Sequence, residues 1–210
     1  MLWPGGHGTN RYLNANILAV ERAGWILTGG ASSRMGFDKA LAEIEGRAMA
    51  ALVAETAAKV CEMVSLVGDP ARYGGLGLPV IPDNFPGCGP LAGMEAALGA
   101  TTGEWNLIVA CDMPALDMAV LTRLFAEGAD CAVPQYEDGM VEPLCAVYHR
   151  RCHSAIRAAL EGGVRKVTDA LGMLQAQALV VRYVRVEKRD AFANLNTTRD
   201  LADYQRKQHG

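Results

Sequence analysis

The sequence has few of the features that mark secreted, membrane-bound or nucleic-acid-binding proteins. No apolar run approaches the roughly 20 residues that a membrane-spanning helix needs. The formal net charge is −3, so the chain lacks the strongly basic balance of proteins that bind nucleic acid or anionic membranes. Residues 1–22 include Arg11, Glu21 and Arg22 and no clean apolar stretch, so we expect no secretory signal.

The six cysteines form no Cys-x-x-Cys pair. Several of them lie in apolar runs, where a reduced thiol behaves as a small core residue, so we expect a cytoplasmic protein. Zinc-ligand residue types do occur within nine positions at Cys145, His149, Cys152 and His153. However, Cys145 lies in the middle of an apolar run, and the spacing matches no standard zinc finger, so we expect no zinc site.

Strand-like and helix-like patterns alternate along the 210 residues, half of which are hydrophobic. This alternation is typical of a mainly parallel sheet with helices on both faces. We predict an extension over residues 1–22, followed by a single domain over residues 23–210 whose sheet becomes mixed towards the C-terminal half. The main predicted elements are the strands Gly24–Thr28, Trp105–Cys111, Glu142–Tyr148 and Leu179–Val186 and the helix Ala48–Cys61.

A glycine-rich stretch, LTGGASSRMGFDKA at Leu27–Ala40, follows the first strand. Gly29 and Gly30 remove side chains from the turn, so backbone N–H groups there can approach a phosphate closely. Arg34 and Lys39 add cationic donors. The stretch is not a Walker loop, because it does not end in Gly-Lys-Ser/Thr. It also lacks the Gly-x-Gly-x-x-Gly motif of dinucleotide-binding proteins. A plain strand-to-helix turn with two exposed basic residues is the alternative interpretation.

Two carboxylates follow predicted strands. Asp112 ends the strand in ACDMP, and ligands of parallel sheets bind at the carboxyl ends of strands, where a carboxylate can hold Mg²⁺ against phosphate oxygens. Asp83 begins the loop PDNFPGCGPLAG, in which Gly89 precedes a helix whose N-terminus favours an anion or a base edge. The alternatives are a helix-capping role for Asp112 and a simple surface loop after Asp83.

Near the C-terminus, Asn194 and Asn196 are two residues apart, so an extended chain would direct both to one side. Helix capping explains the same residues equally well. Arg165 and Lys166, after two glycines, are candidates to reach a phosphate, or else form a solvated helix start.

Taken together, these stretches resemble the molybdenum cofactor guanylyltransferase family. The resemblance runs from about Gly24 to Gln205 and includes GPLAG at Gly89–Gly93, CDMP at Cys111–Pro114 and NLNT at Asn194–Thr197. The double glycine at positions 29 and 30 is similar to the guanylyl branch, whereas the cytidylyl branch typically has Ala-Ala-Gly there.

The resemblance implies a Rossmann-like nucleotidyltransferase fold with GTP bound across the carboxyl ends of the strands. It implies that Lys39 binds phosphate, that Asp112 binds Mg²⁺, and that Asn194 and Asn196 lie on the acceptor side. The implied contacts with GTP are Leu27, Gly29, Gly30, Asp83 and Gly89. The sequence departs from the pattern of the family at two places. Family members often have Asn near the end of the second strand, where this chain has Val67 and Gly68, with Asp69 as a candidate substitute. Thr198 replaces the usual proline after Asn-x-Asn-Thr.

The implied reaction transfers GMP from GTP to the terminal phosphate of molybdenum-molybdopterin and releases pyrophosphate. Mg²⁺ held by Asp112, together with Arg34 and Lys39, would neutralise the charge on the phosphates, and an ionised phosphate nucleophile needs no general base. Molybdoenzyme apoproteins or cofactor-delivery proteins are the expected further partners. The alternatives are a cytidylyltransferase, another nucleotidyltransferase with a different phosphate acceptor, and a non-catalytic GTP-binding or cofactor-chaperone module.

Overall fold

The computed structural model describes residues 21–29, 38–187 and 189–208. Nearly all of the predicted extension, together with Gly30 and Arg34, lies outside these residues. The strands are β1 (Arg22–Leu27), β2 (Glu43–Ile44), β3 (Arg47–Ala48), β4 (Met63–Val67), β5 (Val80–Ile81), β6 (Trp105–Ala110), β7 (Cys131–Gln135), β8 (Cys145–His149) and β9 (Val181–Arg185). The helices are α1 (Met49–Ala57), α2 (Pro70–Tyr73), α3 (Pro90–Ala100), α4 (Met118–Phe125), α5 (His153–Glu161), α6 (Val167–Ala176) and α7 (Thr198–Gln208). Among these described helices, none has the length and apolar character to cross a bilayer.

A mixed sheet organises the fold. In the described part of the chain it has seven strands in the order β5-β4-β1-β6-β8-β7-β9. The first four strands in this order run parallel, β8 is antiparallel to β6 and β7, and β9 is parallel to β7. Strands β2 and β3 form a separate antiparallel hairpin. The predicted α/β class, with a sheet that becomes mixed in the C-terminal half, is confirmed.

Helices cover both faces of the sheet because successive side chains in a strand point to opposite sides. In β1, Trp25 and Leu27 pack in one cluster with residues of α3, α5 and α6. Ile26 packs on the other face with residues of α1 and α4. Burying one such side chain stabilises the fold by about 1.5–3 kcal/mol. The two-sided burial explains why β1 is apolar from Ala23 to Leu27 instead of alternating.

Several boundaries differ from the sequence prediction. The helix predicted over Ala48–Cys61 ends at Ala57, and the strand predicted over Glu142–Tyr148 begins only at Cys145. The Cys145 N–H donates to the Glu142 carbonyl at 3.1 Å, so Glu142 to Leu144 form a turn and not a strand. That part of the strand prediction was wrong, and the turn places Glu142 at the end of the sheet.

The β2–β3 hairpin occupies a stretch for which the sequence analysis predicted no element, and α6 follows Arg165 and Lys166, for which a helix start was one of two interpretations. Four buried residues of α6 do follow helical spacing, at Val167, Ala170, Leu171 and Leu174. The Gly-Gly turn before the helix and a glycine within it weaken this signal.

Candidate active site

An open cavity of about 770 Å³ lies at the carboxyl ends of the parallel strands. Its walls come from the ends of β1 and β6, the turn before β8, the start of α6 and the segment before α7. This is the position at which α/β sheets bind their ligands. Six of the predicted site residues line the cavity, namely Leu27, Gly29, Lys39, Asp112, Asn194 and Asn196.

A lysine–aspartate pair lies at the centre of this site. Asp112 follows β6, and Lys39 opens a short 3₁₀ helix that is capped by the Asp38 carboxylate, which accepts from the Ala40 N–H at 2.9 Å. The Lys39 Nζ donates to Asp112 Oδ2 at 3.2 Å, and both side chains are less than one-fifth exposed. The Tyr73 hydroxyl donates to Asp38 at 3.0 Å and so holds the start of this helix in place.

The second carboxylate oxygen of Asp112, Oδ1, differs from Oδ2 in having no hydrogen-bond partner among the described residues. Asp112 Oδ1 is buried and makes no hydrogen bond to any residue that the structure describes. A buried charged oxygen without a partner is costly, and a cation is the ligand that would satisfy it. Among the described residues, no three or more Asp, Glu, His or Cys side chains are grouped so that they could hold a metal ion. The donor set therefore fits a hard cation such as Mg²⁺, which often takes one or two protein carboxylates and completes its shell with phosphate oxygens and water.

The Asn-x-Asn segment is attached directly to Asp112. The Leu195 N–H donates to the Asp112 carbonyl at 2.9 Å, while the Leu195 side chain is buried in a small core cluster. Asn194 and Asn196, on either side of it, both line the cavity, and Asn196 Oδ1 accepts from the Lys39 Nζ. The predicted two-residue periodicity therefore brings both amides to the site.

Helix capping does not occupy these asparagines. The Asp200 carboxylate accepts from the Asn196 and Thr197 N–H groups at 2.9 and 2.8 Å, and the Thr197 hydroxyl accepts from the Asp200 N–H at 3.0 Å. Because these two side chains cap α7, the side-chain amides of Asn194 and Asn196 are not needed as caps.

Asp83 and Gly89 belong to the loop that leads into α3 and are not among the described residues that line the cavity. Asp83 Oδ1 accepts from the Phe85 N–H at 2.7 Å and so closes a tight turn. Gly89 has a φ of +77°, which favours glycine, and it presents the next residue, Pro90, to the cavity. Their predicted contacts with GTP stay predictions.

A buried ionic network fastens this loop to the core. Glu95 is fully buried in α3, where Oε2 accepts from Asn84 at 3.0 Å and Oε1 lies 3.0 Å from His153 Nε2 and 3.2 Å from Arg157 Nη1. Burial opposes ionisation, but the hydrogen bonds from Asn84 and His153 and the nearby positive charge outweigh it, so the pKa of Glu95 is lowered.

The departure from the family pattern at the end of β4 has a steric explanation. A side chain at Gly68 would place its Cβ 2.2 Å from Thr28 Oγ1 and 2.8 Å from the Tyr73 ring, so this backbone leaves no room for the usual asparagine. The Asp69 carboxylate caps α2 by accepting from the Ala71 N–H at 2.9 Å, and its role as a substitute stays a prediction.

Sequence reasoning did not select Glu142, which lines the cavity next to Pro143 and Leu144. Burial raises the pKa of Glu142, although a hydrogen bond from the Tyr136 hydroxyl acts in the opposite direction. The motif EPLCAVY resembles a buried strand, and nothing local in it indicates that its first residue faces a ligand cavity.

The basic residues before α6 also face the cavity. Arg165 is held by the carbonyls of Leu160 and Val164, at 3.0 and 2.8 Å, whereas Lys166 is exposed and forms no ion pair with the described residues. Lys166 is also the N-cap residue of α6, so the helix-start interpretation describes its place in the fold, and the ligand-facing role stays a prediction.

The residues with zinc-ligand chemistry do not converge. Cys145 and Cys152 are buried in core clusters on opposite faces of the sheet. His149 Nε2 lies 3.2 Å from a Glu104 oxygen, while His153 belongs to the Glu95 network.

A strand-end glycine, a lysine–aspartate pair and a carboxylate oxygen with no partner among the described residues lie at the carboxyl edge of a doubly covered sheet, as is typical of α/β nucleotide-binding proteins. The family model described as "MobA-like NTP transferase domain" matches residues 24–177, and the chain belongs to this family of nucleotidyltransferases.

Similar proteins agree with this assignment. A Pelotomaculum thermopropionicum protein named "Probable molybdenum cofactor guanylyltransferase" is 37% identical over 187 residues, covering 87% of this chain and 91% of the relative. The "Molybdenum cofactor guanylyltransferase" of Desulfosudis oleivorans is 35% identical, covering 85% and 91%. The crystal structure of molybdopterin-guanine dinucleotide biosynthesis protein A from Archaeoglobus fulgidus superimposes with a TM-score of 0.73 at 26% identity, covering 89% and 98%.

Proposed function

We propose that this chain transfers GMP from GTP to the terminal phosphate of molybdopterin, forming molybdopterin guanine dinucleotide and pyrophosphate. The observation that carries the proposal is the buried Asp112 oxygen beside Lys39, which lines the cavity and has no hydrogen-bond partner among the described residues. The guanylyltransferase names of relatives up to 37% identical support GTP as donor and molybdopterin as acceptor.

The reaction needs charge neutralisation and alignment more than covalent help from the protein. Two like unit charges ~4 Å apart repel by about 4 kcal/mol at an effective dielectric near 20, and several such pairs separate a phosphate from a triphosphate. Lys39 places a cation beside Asp112, and Asn196 helps to orient its ammonium group. Asp112 is the residue that would hold Mg²⁺, which when bound supplies positive charge against the phosphate oxygens.

The order of the strands supports a division of the cavity into two halves. Gly29 follows β1 on one side of Asp112, and this half would take GTP, with Leu27 and the predicted contacts of Gly30, Arg34, Asp83 and Gly89. On the other side, Lys166 and the two asparagines would take the acceptor. In this proposal the acceptor phosphate attacks the α-phosphorus of GTP, the bond to the bridging oxygen of the β-phosphate breaks, and pyrophosphate leaves.

The same proposal places the reaction in the cytoplasm, where reduced cysteines are usual. All six cysteines are free, and five of them are buried. Molybdoenzyme apoproteins or cofactor-delivery proteins would receive the product.

The test is pyrophosphate release by the purified protein with molybdopterin and Mg²⁺, comparing GTP, CTP, ATP and UTP. The proposal predicts release that requires the acceptor and is fastest with GTP. Release with CTP alone would overturn the choice of base and keep the chemistry. Tight GTP binding without release, when molybdopterin is present, would identify a binding module instead.

A further inference from the structure

A carboxylate in the acceptor half of the cavity has no role in the chemistry described above. Glu142 is half-buried and lines the cavity, yet in the described residues it meets no cation within ion-pair distance. Its recorded side-chain partner is neutral, the Tyr136 hydroxyl, which donates to Glu142 Oε1 at 3.0 Å. A carboxylate has about four acceptor positions, so most of the hydrogen-bonding capacity of Glu142 is available to a ligand.

The position of Glu142 is set by the antiparallel strand β8. The Ala110 N–H donates to the Leu144 carbonyl at 2.8 Å, which fixes the turn before β8 beside the end of β6 and therefore beside Asp112. Strand β1, with Gly29, lies on the other side of β6. Since adjacent strands are about 4.8 Å apart, the turn bearing Glu142 lies about 10 Å across the sheet from the end of β1.

The carboxylate is also held in a fixed orientation. The Glu142 N–H donates to the Pro134 carbonyl at 3.0 Å. Tyr136 is buried against Phe192, with ring centroids 6.0 Å apart, and the Arg189 guanidinium lies 4.4 Å from the Tyr136 ring centroid. A packed tyrosine with a single hydroxyl donor restricts the rotamers of Glu142, so little ordering entropy would be lost when a ligand binds.

The surroundings of Glu142 suit a flat heterocycle. Pro143, Leu144 and Val167 supply apolar surface to the same cavity, and such surface packs against the face of a ring. An acceptor that presents a ring N–H beside an exocyclic amino group would place two donors against the two oxygens of one carboxylate. The 2-amino-4-oxopyrimidine edge of a pterin has this pattern.

We infer that Glu142 is the specificity residue that binds the 2-amino-4-oxopyrimidine edge of the acceptor pterin. This inference rests on the proposed function. Guanine has the same edge, so GTP is the second possible source of this chemistry. The strand order favours the pterin, because Glu142 and the GTP-side residue Gly29 lie on opposite sides of Asp112.

The experiment compares the full-length wild type with Glu142→Gln, which keeps the size of the side chain but turns one acceptor into a donor. Glu137→Gln is the matched control, because Glu137 lies five residues away, is 73% exposed and pairs with Arg185. Initial rates are measured with molybdopterin varied at saturating GTP, and with GTP varied at saturating molybdopterin. Thermal unfolding checks that all three proteins are folded.

For Glu142→Gln we expect the KM for molybdopterin to rise at least tenfold, equivalent to about 1.4 kcal/mol, with the KM for GTP and kcat changed less than threefold. The control should match the wild type. An unchanged KM for molybdopterin overturns the inference. A rise in the KM for GTP instead assigns the carboxylate to guanine, and recovery of activity at higher Mg²⁺ concentration assigns it to the metal; either result overturns the inference.

Binding of free pterin, followed by its own fluorescence, separates this inference from the proposed function. Glu142→Gln should bind pterin at least tenfold more weakly than the wild type. If the wild type fails to turn over molybdopterin but shows this difference, the proposed reaction is wrong and the pterin contact holds. If turnover occurs and pterin binding is equal in the two proteins, the reaction holds and the Glu142 contact is wrong.

Discussion

Replacing Asp112 by Asn tests the centre of the proposed site, since the amide keeps the size of the side chain and removes its charge. Asp112 Oδ2 is 3.2 Å from the Lys39 ammonium. At an effective dielectric near 20, this separation corresponds to a gross attraction of about 5 kcal/mol. Desolvation of the two partly buried groups offsets much of it.

The expected effects on stability and on turnover differ sharply. Oδ1 makes no hydrogen bond to the described residues, and Asn can still accept from Lys39 through one oxygen. The free energy of unfolding without Mg²⁺ should therefore change by less than about 2 kcal/mol. Loss of the Asp112 carboxylate as a metal ligand should lower kcat by about a thousandfold, which corresponds to a rise of ~4 kcal/mol in the activation barrier.

The assay combines pyrophosphate release with thermal unfolding. GTP and Mg²⁺ at a hundredfold excess over Kd should stabilise the wild type by about 2.7 kcal/mol and the variant by much less. Glu161→Gln is a control, because Glu161 is 56% exposed on α5 and is not part of the cavity wall. A folded Asp112→Asn protein that keeps more than a tenth of the wild-type kcat would refute Asp112 as the metal ligand.

Three further predictions concern the residues around this centre. Lys39→Ala should lower kcat/KM for GTP about a hundredfold in steady-state assays, and a loss below threefold in folded protein would place Lys39 outside the site. Gly68→Ala should destabilise the protein by about 1–3 kcal/mol in chemical denaturation, because the new Cβ would lie 2.2 Å from Thr28 Oγ1; an unchanged midpoint would contradict this packing. The lowered pKa of Glu95 means that its ionised form stabilises the fold above its ordinary pKa of 4.5, and that this stability is lost as the pH falls below that value. Glu95→Ala should thus lower the free energy of unfolding by about 3 kcal/mol at pH 7 and make it depend less on pH in the acidic range. If the variant and the wild type lose stability in parallel as the pH falls, Glu95 does not stabilise the fold in this way.

The parts of the fold that local chemistry specifies were predictable from the sequence. Strands β1 and β6 are mainly apolar, and a chain buries such strands on both faces of a parallel sheet. Carboxyl ends of parallel strands share one edge, so Gly29 after β1 and Asp112 after β6 were expected to face the same ligand. The cavity at that edge contains both, together with Lys39.

The interpretation of the C-terminal motif was left open by the sequence and decided by the tertiary structure. Both a role on the acceptor side and helix capping were compatible with Asn194 and Asn196. The hydrogen bonds between Thr197 and Asp200 take over the capping of α7 and leave the asparagines at the cavity. At Asp69 the tertiary structure shows the capping role, since its side chain caps α2.

By itself, the sequence determined the α/β class, the strand ends that carry the nucleotide chemistry and the family, because each depends on short-range patterns of apolar, glycine and charged residues. Only the tertiary structure decided that Glu142 and the start of α6 join the same cavity. Their positions depend on an antiparallel β8 lying between β6 and β7, so that the beginning of one strand meets the end of another. Strand order is a non-local property, set by the packing of both faces at once, and no local pattern in the turn before β8 or in the stretch before α6 specifies it.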